Sequence, residues 1–287
     1  MQQPQVRTFH HADTGTFSYV VRDPDSRDAA IVDPVLDYDP AAARTGTGSA
    51  DEIASYVRDH DLDIAWILET HAHADHVTAA PYLKEMLGGT IAIGRGITQV
   101  QARFRDVLNL GEALPADGSQ FDHLFDDDET FRIGGLTGRV IPTPGHTSDS
   151  VSYLIGDAAF VGDSLFMPDA GTARCDFPGG DAHVLWQSTR RLFELPDDTR
   201  LFMCHDYGPG GREVRFETTV AEQKRDNVHV GGDRSEDEFV KLRTERDATL
   251  GMPRLILPAI QINIRAGALP APEDNGVSYL KIPLNRF

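Results

Sequence analysis

The chain has 287 residues, 40% of them hydrophobic, enough for one large core. Acidic residues outnumber basic ones by 45 to 27, and a surface with a formal charge of -18 repels nucleic acid and anionic membranes, so neither is expected as a partner. The opening "MQQPQVRTFHHADTG" has no apolar run, no later stretch approaches the ~18 apolar residues of a spanning helix, and the two cysteines, Cys175 and Cys204, are too few for a disulfide framework and fit a reducing cytoplasm.

In chain order, "TFSYVV" (16–21) and "AAIVD" (29–33) read as a strand pair joined by the turn-rich "RDPDSRD". "PVLDYDPAAARTGTG" (34–48) reads as a long loop. "SADEIASYVRDH" starts with Ser49 and has Glu52 three residues on, which predicts a helix opened by a capping box. "IAWILE" (64–69) is a buried strand that runs into "THAHADH"; helical "HVTAAPYLKEML" and the strand "TIAIG" follow. A second long loop is expected at 111–128. Four strands then come in "ETFRI", "GRVIPTPG", "VSYLIG" and "AAFVGD". A helix near 181–194, the strand "TRLFMC" and helices near 217–227 and 235–248 complete the regular part. The proline-rich tail from about 251 to 287 reads as an ordered, irregular wrap on a single domain spanning 1–287. This order of elements fits sheets covered by helices on their outer faces.

Residues 71–76 hold three histidines and an aspartate, ligand types that suit zinc, iron and manganese. His71 and His73 lie two apart, so on an extended strand end they point the same way, while Asp75 and His76 follow the turn. His146 in "PTPGHTSDS", Asp163 in "FVGDSL" and His205 in "FMCHDYG" each follow an apolar β run, where a sheet presents functional side chains. The other six of the 11 histidines, His10, His11, His60, His123, His183 and His229, lack such context and read as surface or loop residues.

The series HxHxDH, GHT, GD and a strand-end His resembles the metallo-β-lactamase superfamily, which implies an α/β fold, a four-layer αββα sandwich with metal at the edge of the two sheets. In hydrolases of that superfamily the positions of His71, His73 and His146 hold one metal. Those of Asp75, His76 and His205 hold a second, with Asp163 as bridge. The stretch "DAGTARCDFPGGDA" further resembles the Gly-Arg-Thr-Asp-Phe segment of the persulfide (sulfur) dioxygenases: Arg174, Asp176 and Phe177 match, and Cys175 stands where many members have Thr. "CHDYG" and "LPAIQINIRAG" resemble further segments of that family.

The closer resemblance implies one iron(II) per chain, held by His71, His146 and Asp163, a two-histidine, one-carboxylate set that leaves positions open for substrate and oxygen. His73, Asp75, His76 and His205 would then line the site without ligating, hydrogen-bonding to water or to the ligand residues. The implied partners are glutathione persulfide and O2, with sulfite and glutathione as products. A homodimer is compatible with the sequence but not required by it. Arg174 is the expected clamp for a glutathione carboxylate and supplies the local cation that so acidic a protein needs for an anionic substrate. Tyr207 would offer its hydroxyl to the reacting end. Cys175 is either a packing residue or a thiol able to exchange sulfur. The rival expectation is a dinuclear thioester hydrolase of the glyoxalase II type; a non-catalytic sulfur sensor on the same scaffold is a third.

Overall fold

Strands buried on both faces set the architecture. In the computed structural model, which describes residues 3–286, the first half of the chain forms β1 (Gln5–His11), β2 (Thr16–Arg22), β3 (Asp28–Val32), β4 (Val35–Asp39), β5 (Arg44–Gly46), α1 (Gly48–Asp59), β6 (Asp63–Leu68), β7 (Val77–Thr78), α2 (Ala80–Leu87), β8 (Thr90–Gly94), α3 (Ile97–Val107) and β9 (His123–Phe125). The second half forms β10 (Thr130–Ile133), β11 (Leu136–Pro142), β12 (Val151–Ile155), β13 (Ala158–Phe160), α4 (Ala182–Phe193), β14 (Arg200–Phe202), β15 (Glu217–Thr219), α5 (Val220–Asp226), α6 (Glu236–Asp247) and α7 (Ile256–Asn263). One sheet has the order β1-β2-β3-β6-β8-β9, the other β10-β11-β12-β13-β14-β15, and β5-β4-β7 make a small third sheet.

Period-two alternation decides which side chain enters which layer. Tyr19, Val21, Val32 and Leu68 meet Val140, Tyr153, Phe160 and Phe202 between the two large sheets. Val20, Ile31 and Ile67, one residue out of step, pack under α1, α2 and α3. Ile141, Ala159 and Leu201 do the same under α4, α5 and α6. The result is the expected four-layer αββα sandwich.

Several local expectations need correction. The 34–48 stretch is not a loop but the β4–β5 hairpin, which pairs through β4 with β7. No capping box opens α1: the helix begins at Gly48, ahead of Ser49, and its flanking Thr47 bonds through its hydroxyl to Asp51 at 2.9 Å. The Ser49 amide instead donates to Asp37 Oδ2 of the hairpin at 3.4 Å. The segment "HVTAAPYLKEML" starts extended, as β7, and turns helical only at Ala80. The 111–128 stretch contains a 3-10 turn and β9. The tail contains α7, buried almost all round, so no polar stripe betrays it in the sequence. Three further elements were not expected from the sequence: β1, an edge strand of mixed polarity, α3, and β15, which takes the first three residues of the helix expected near 217–227.

Candidate metal centre

The HxHxDH segment leaves the end of β6 and crosses the mouth of the sandwich, where its backbone is tied from three directions. Asp33, just past β3, accepts the Thr70 amide (2.7 Å) and the Thr70 hydroxyl (2.9 Å), and its Oδ1 lies 3.0 Å from His73 Nε2. Asp149 Oδ2 accepts the Ala72 amide at 2.8 Å. From the C-terminal side, Asn263 at the end of α7 donates to the His73 and His76 carbonyls, both at 2.8 Å, and accepts the Thr78 amide at 3.0 Å. The sequence reading missed all three anchors. Asp33 ends an apolar run just as Asp163 does, which was a usable signal. Asn263 shows only as one of two amides, with Gln261, in an apolar stretch.

His146 follows β11, and its Nδ1–H donates to the Arg174 carbonyl at 2.7 Å, which leaves Nε2 to face inward. Here Gly145, at φ +133°, is required: a Cβ would fall 2.3 Å from the Leu185 amide nitrogen of α4. Asp163 sits in the 3-10 turn after β13, and His205 follows β14 with Thr16 Oγ1 3.3 Å from its Nδ1.

All seven candidate ligands converge, in two groups. Ligand atoms of His71, His146 and Asp163 lie within 4.8 Å of one another, and so do those of His73, Asp75, His76 and His205. Each of these side chains except Asp75 is buried. His71 Nε2, His73 Nδ1, Asp75 Oδ2, His76 Nε2, Asp163 Oδ1 and His205 Nε2 have no hydrogen-bond partner. Orphaned buried polar atoms cost about 1–3 kcal/mol each, so their gathering here is the mark of a place built for cations. His205 Nε2 is 3.0 Å from Asp75 Oδ2 and 3.5 Å from Asp163 Oδ1, yet it makes no aligned hydrogen bond with either. The four residues expected only to line the site thus also present free ligand atoms of their own.

The two groups differ in their protons. Burial, with help from His73 and His146, holds the His71 pKa well below its ordinary value, so this ring is neutral and ready to ligate. Burial is the largest single influence on His205 and His73 and disfavours their charge, but Asp75 with Cys204 and Asp163 together outweigh it for His205, as Asp33 with Cys204 and Glu69 do for His73, and both pKa values are well raised. Since a ligand nitrogen must shed its proton, an ion in the four-residue group has to displace protons from His205 and His73, whereas His76, its pKa lowered to about 4 chiefly by burial, is as ready to ligate as His71. The His71 ring carries no such penalty.

A cavity of about 600 Å³ opens onto the centre, lined near it by Ala74, Asp75, His146, Asp163 and Tyr207. Tyr207 is 64% exposed and stacks parallel to the His205 ring at 5.9 Å. Arg174 lines the cavity but is not free to clamp a ligand. Its Nε and Nη2 hold Asp176 at 2.6 and 2.7 Å, its Nη1 donates to the Gly251 carbonyl at 2.6 Å, and its guanidinium lies 4.6 Å over Phe177. The fork expected to meet a substrate carboxylate already meets an internal one. Arg174→Ala is therefore expected to lower the melting temperature and to cut kcat/KM alike for substrates with and without a carboxylate, measured by thermal unfolding and parallel kinetics.

Cys175 is also corrected as a substrate contact. Its side chain is buried among residues under α4 and α6 rather than lining the cavity, and burial, then Asp247, push its thiol pKa up, so it is an inert packing residue. His229, expected as a surface or loop residue, lies in the turn between α5 and α6 and is buried.

A sandwich of this order with these ligands at its mouth defines a class. The sequence profile of the metallo-beta-lactamase superfamily matches residues 12–205, and the chain belongs to that superfamily. Among its relatives are a probable metallo-hydrolase of Burkholderia pseudomallei, 52% identical over 98% of this chain and 99% of that one, and glyoxylase B2 of Dictyostelium discoideum, 50% identical over 98% and 97%. Human mitochondrial persulfide dioxygenase ETHE1 is 29% identical over 88% of this chain and 84% of its own. The crystal structure of ETHE1 from Myxococcus xanthus superposes with a TM-score of 0.73 at 32% identity, covering 92% of this chain and all of that one. No helix among the described residues is long and apolar enough to cross a membrane.

Proposed function

We propose that the protein is an iron(II)-dependent persulfide dioxygenase acting on glutathione persulfide. The observation that carries this is the His71, His146 and Asp163 group: buried, within 4.8 Å of one another, and made of two imidazoles and one carboxylate, with Asp163 Oδ1 3.5 Å from His205 Nε2 of the adjoining group. The likeness to persulfide dioxygenase ETHE1 supports it. The free atoms on His71 and Asp163 fit one ion, with His146 Nε2 3.5 Å from Asp163 Oδ2 as the third side. Iron(II) held there would supply a redox-active centre with open positions for both a sulfur and O2. The overall change consumes persulfide, O2 and water, and yields glutathione, hydrogensulfite and one proton.

The chain's own groups then have definite tasks. His146 is fixed in its tautomer by the Arg174 carbonyl, so Nε2 is the acceptor atom. Asp163 supplies the negative charge. Tyr207 stands at the cavity wall with its hydroxyl available to the reacting end of the substrate. Phe166, Ala170, Ala173 and Phe177 give the cavity an apolar stretch of wall.

A second reading, a dinuclear glutathione thioester hydrolase of the glyoxalase II type, is favoured by the free atoms of the His73, Asp75, His76 and His205 group and by the names of the relatives near 50% identity. His205→Ala separates the two. Under the dioxygenase proposal the variant keeps its iron and loses part of its activity; under the hydrolase reading it loses one of two metal ions. Metal analysis per chain reads the difference without an assay. A third measurement probes the support of the loop. Asn263→Ala removes the bonds to the His73 and His76 carbonyls, and a stability loss of about 1–3 kcal/mol with weakened iron retention is expected, read by urea unfolding and metal content.

A further inference from the structure

With Arg174 engaged, the local cation that the acidic chain needs for an anionic substrate must lie elsewhere. The cavity at the metal centre has a wall formed by His229, Arg243, Arg246, Leu250, Gly251 and Pro253. Arg243 is no freer than Arg174: it is buried, with Nε and Nη2 on Asp247 Oδ1 at 2.9 and 2.6 Å and Nη1 on the Thr172 carbonyl at 3.0 Å. The Arg246 side chain is exposed and forms no ion pair or side-chain hydrogen bond among the described residues.

His229 completes the wall. Its Nδ1 accepts the Thr172 amide at 2.9 Å, which fixes the ring proton on Nε2 and makes that edge a donor. Burial, together with Arg243, Arg246 and Arg234, lowers its pKa to about 3, so it stays neutral and cannot act as a base. In a chain with a formal charge of -18, guanidinium groups crowd this one imidazole, and Asp247 answers only Arg243. Glu238, on the neighbouring groove, is turned to the Ser235 cap, and Glu245 lies there too without pairing with Arg246 within 4.0 Å. An unpaired guanidinium and a neutral N–H donor lining the same cavity as the metal ligands suit a carboxylate.

We infer that Arg246 and His229 form the carboxylate-binding subsite of this cavity and take a carboxylate of the glutathione moiety. The inference rests on a glutathione-derived substrate, which both catalytic readings share. It does not depend on which reaction follows. The test is titration calorimetry of the iron-loaded, full-length protein with reduced glutathione and with its diethyl ester, in which both carboxylates are masked. The wild type is expected to bind glutathione roughly tenfold to a hundredfold more tightly than the ester, the range for a charge-assisted contact. Arg246→Ala should abolish that preference, Arg246→Lys should restore part of it, and Arg246→Glu should reverse it. His229→Gln, which can keep both an acceptor and a donor, should retain more of the preference than His229→Phe.

Because Arg246 is exposed, its variants are expected to melt with the wild type, so a loss of binding is not a loss of fold. Equal binding of glutathione and ester by the wild type, or unchanged glutathione binding in Arg246→Ala and Arg246→Glu, overturns the subsite. Oxygen uptake by the wild type with glutathione persulfide reports separately on the dioxygenase proposal, so either can fail while the other stands.

Discussion

Asp163→Ala is expected to leave the protein without retained iron and without activity. In the His71, His146 and Asp163 group the carboxylate is the one anionic member, and its Oδ1 is buried with no other partner to satisfy it. Two imidazoles alone offer a divalent iron no charge compensation in a buried place, and the cost of desolvating the ion is then unmet. The expected readout is iron below a tenth of an equivalent per chain after desalting (about 1.4 kcal/mol for each tenfold loss of affinity), with the fold intact by circular dichroism. Asp163→Glu should bind metal weakly, since the longer side chain moves the oxygen out of the position fixed by the turn after β13. A variant with alanine at this position that keeps a full equivalent of iron would show that the ion is held by the other group.

Asp33→Ala is expected to produce the largest loss of stability among these substitutions. Asp33 accepts the amide and hydroxyl of Thr70 and meets His73, all three groups being buried. Although burial opposes its charge, His73 and Thr70 hold its pKa below the usual carboxylate value. Removing it strands two donors and the His73 ring, whose other carboxylate neighbour, Glu69 Oε2, is 3.4 Å away. The penalty for breaking a buried pair by deleting one partner is about 3–5 kcal/mol, or a fall of roughly 5–8 °C in Tm at this size. Thermal unfolding of the metal-free protein checks it, because there the loss cannot be assigned to absent metal. Asp33→Asn should be milder, since an amide oxygen still accepts from Thr70. An unchanged Tm in the alanine variant would mean that Asp149 and Asn263 hold the loop unaided.

Much of this was legible from residue order. The apolar runs that lead to His71, His146, Asp163 and His205 announce strands with candidate ligands at their ends, while the αββα layering and the gathering of those ends at one edge were implied by the resemblance to the metallo-β-lactamase superfamily. What escaped was of two kinds. Burial on all sides removes the amphipathic period, so α7, with Ile256, Ala259, Ile260 and Ile262 all buried, read as part of an irregular tail. The other kind is pairwise chemistry, which spacing does not encode. Nothing local marks Asn263 as the clamp on the His73 and His76 carbonyls. Arg174 has the residue type and position of a substrate clamp, yet Asp176, two residues on, occupies its fork. The hairpin at 35–46 read as a loop because its strands are short, β4 with Asp at two of its five positions and β5 only three residues long, and they pair only with each other and with the two-residue β7.

The most direct test of the central claim is anaerobic reconstitution with iron(II), followed by metal analysis and oxygen uptake with glutathione persulfide. One iron per chain, and one O2 consumed for each sulfite formed, is the expected result. Two metal ions per chain, no oxygen uptake, and hydrolysis of a glutathione thioester would contradict it.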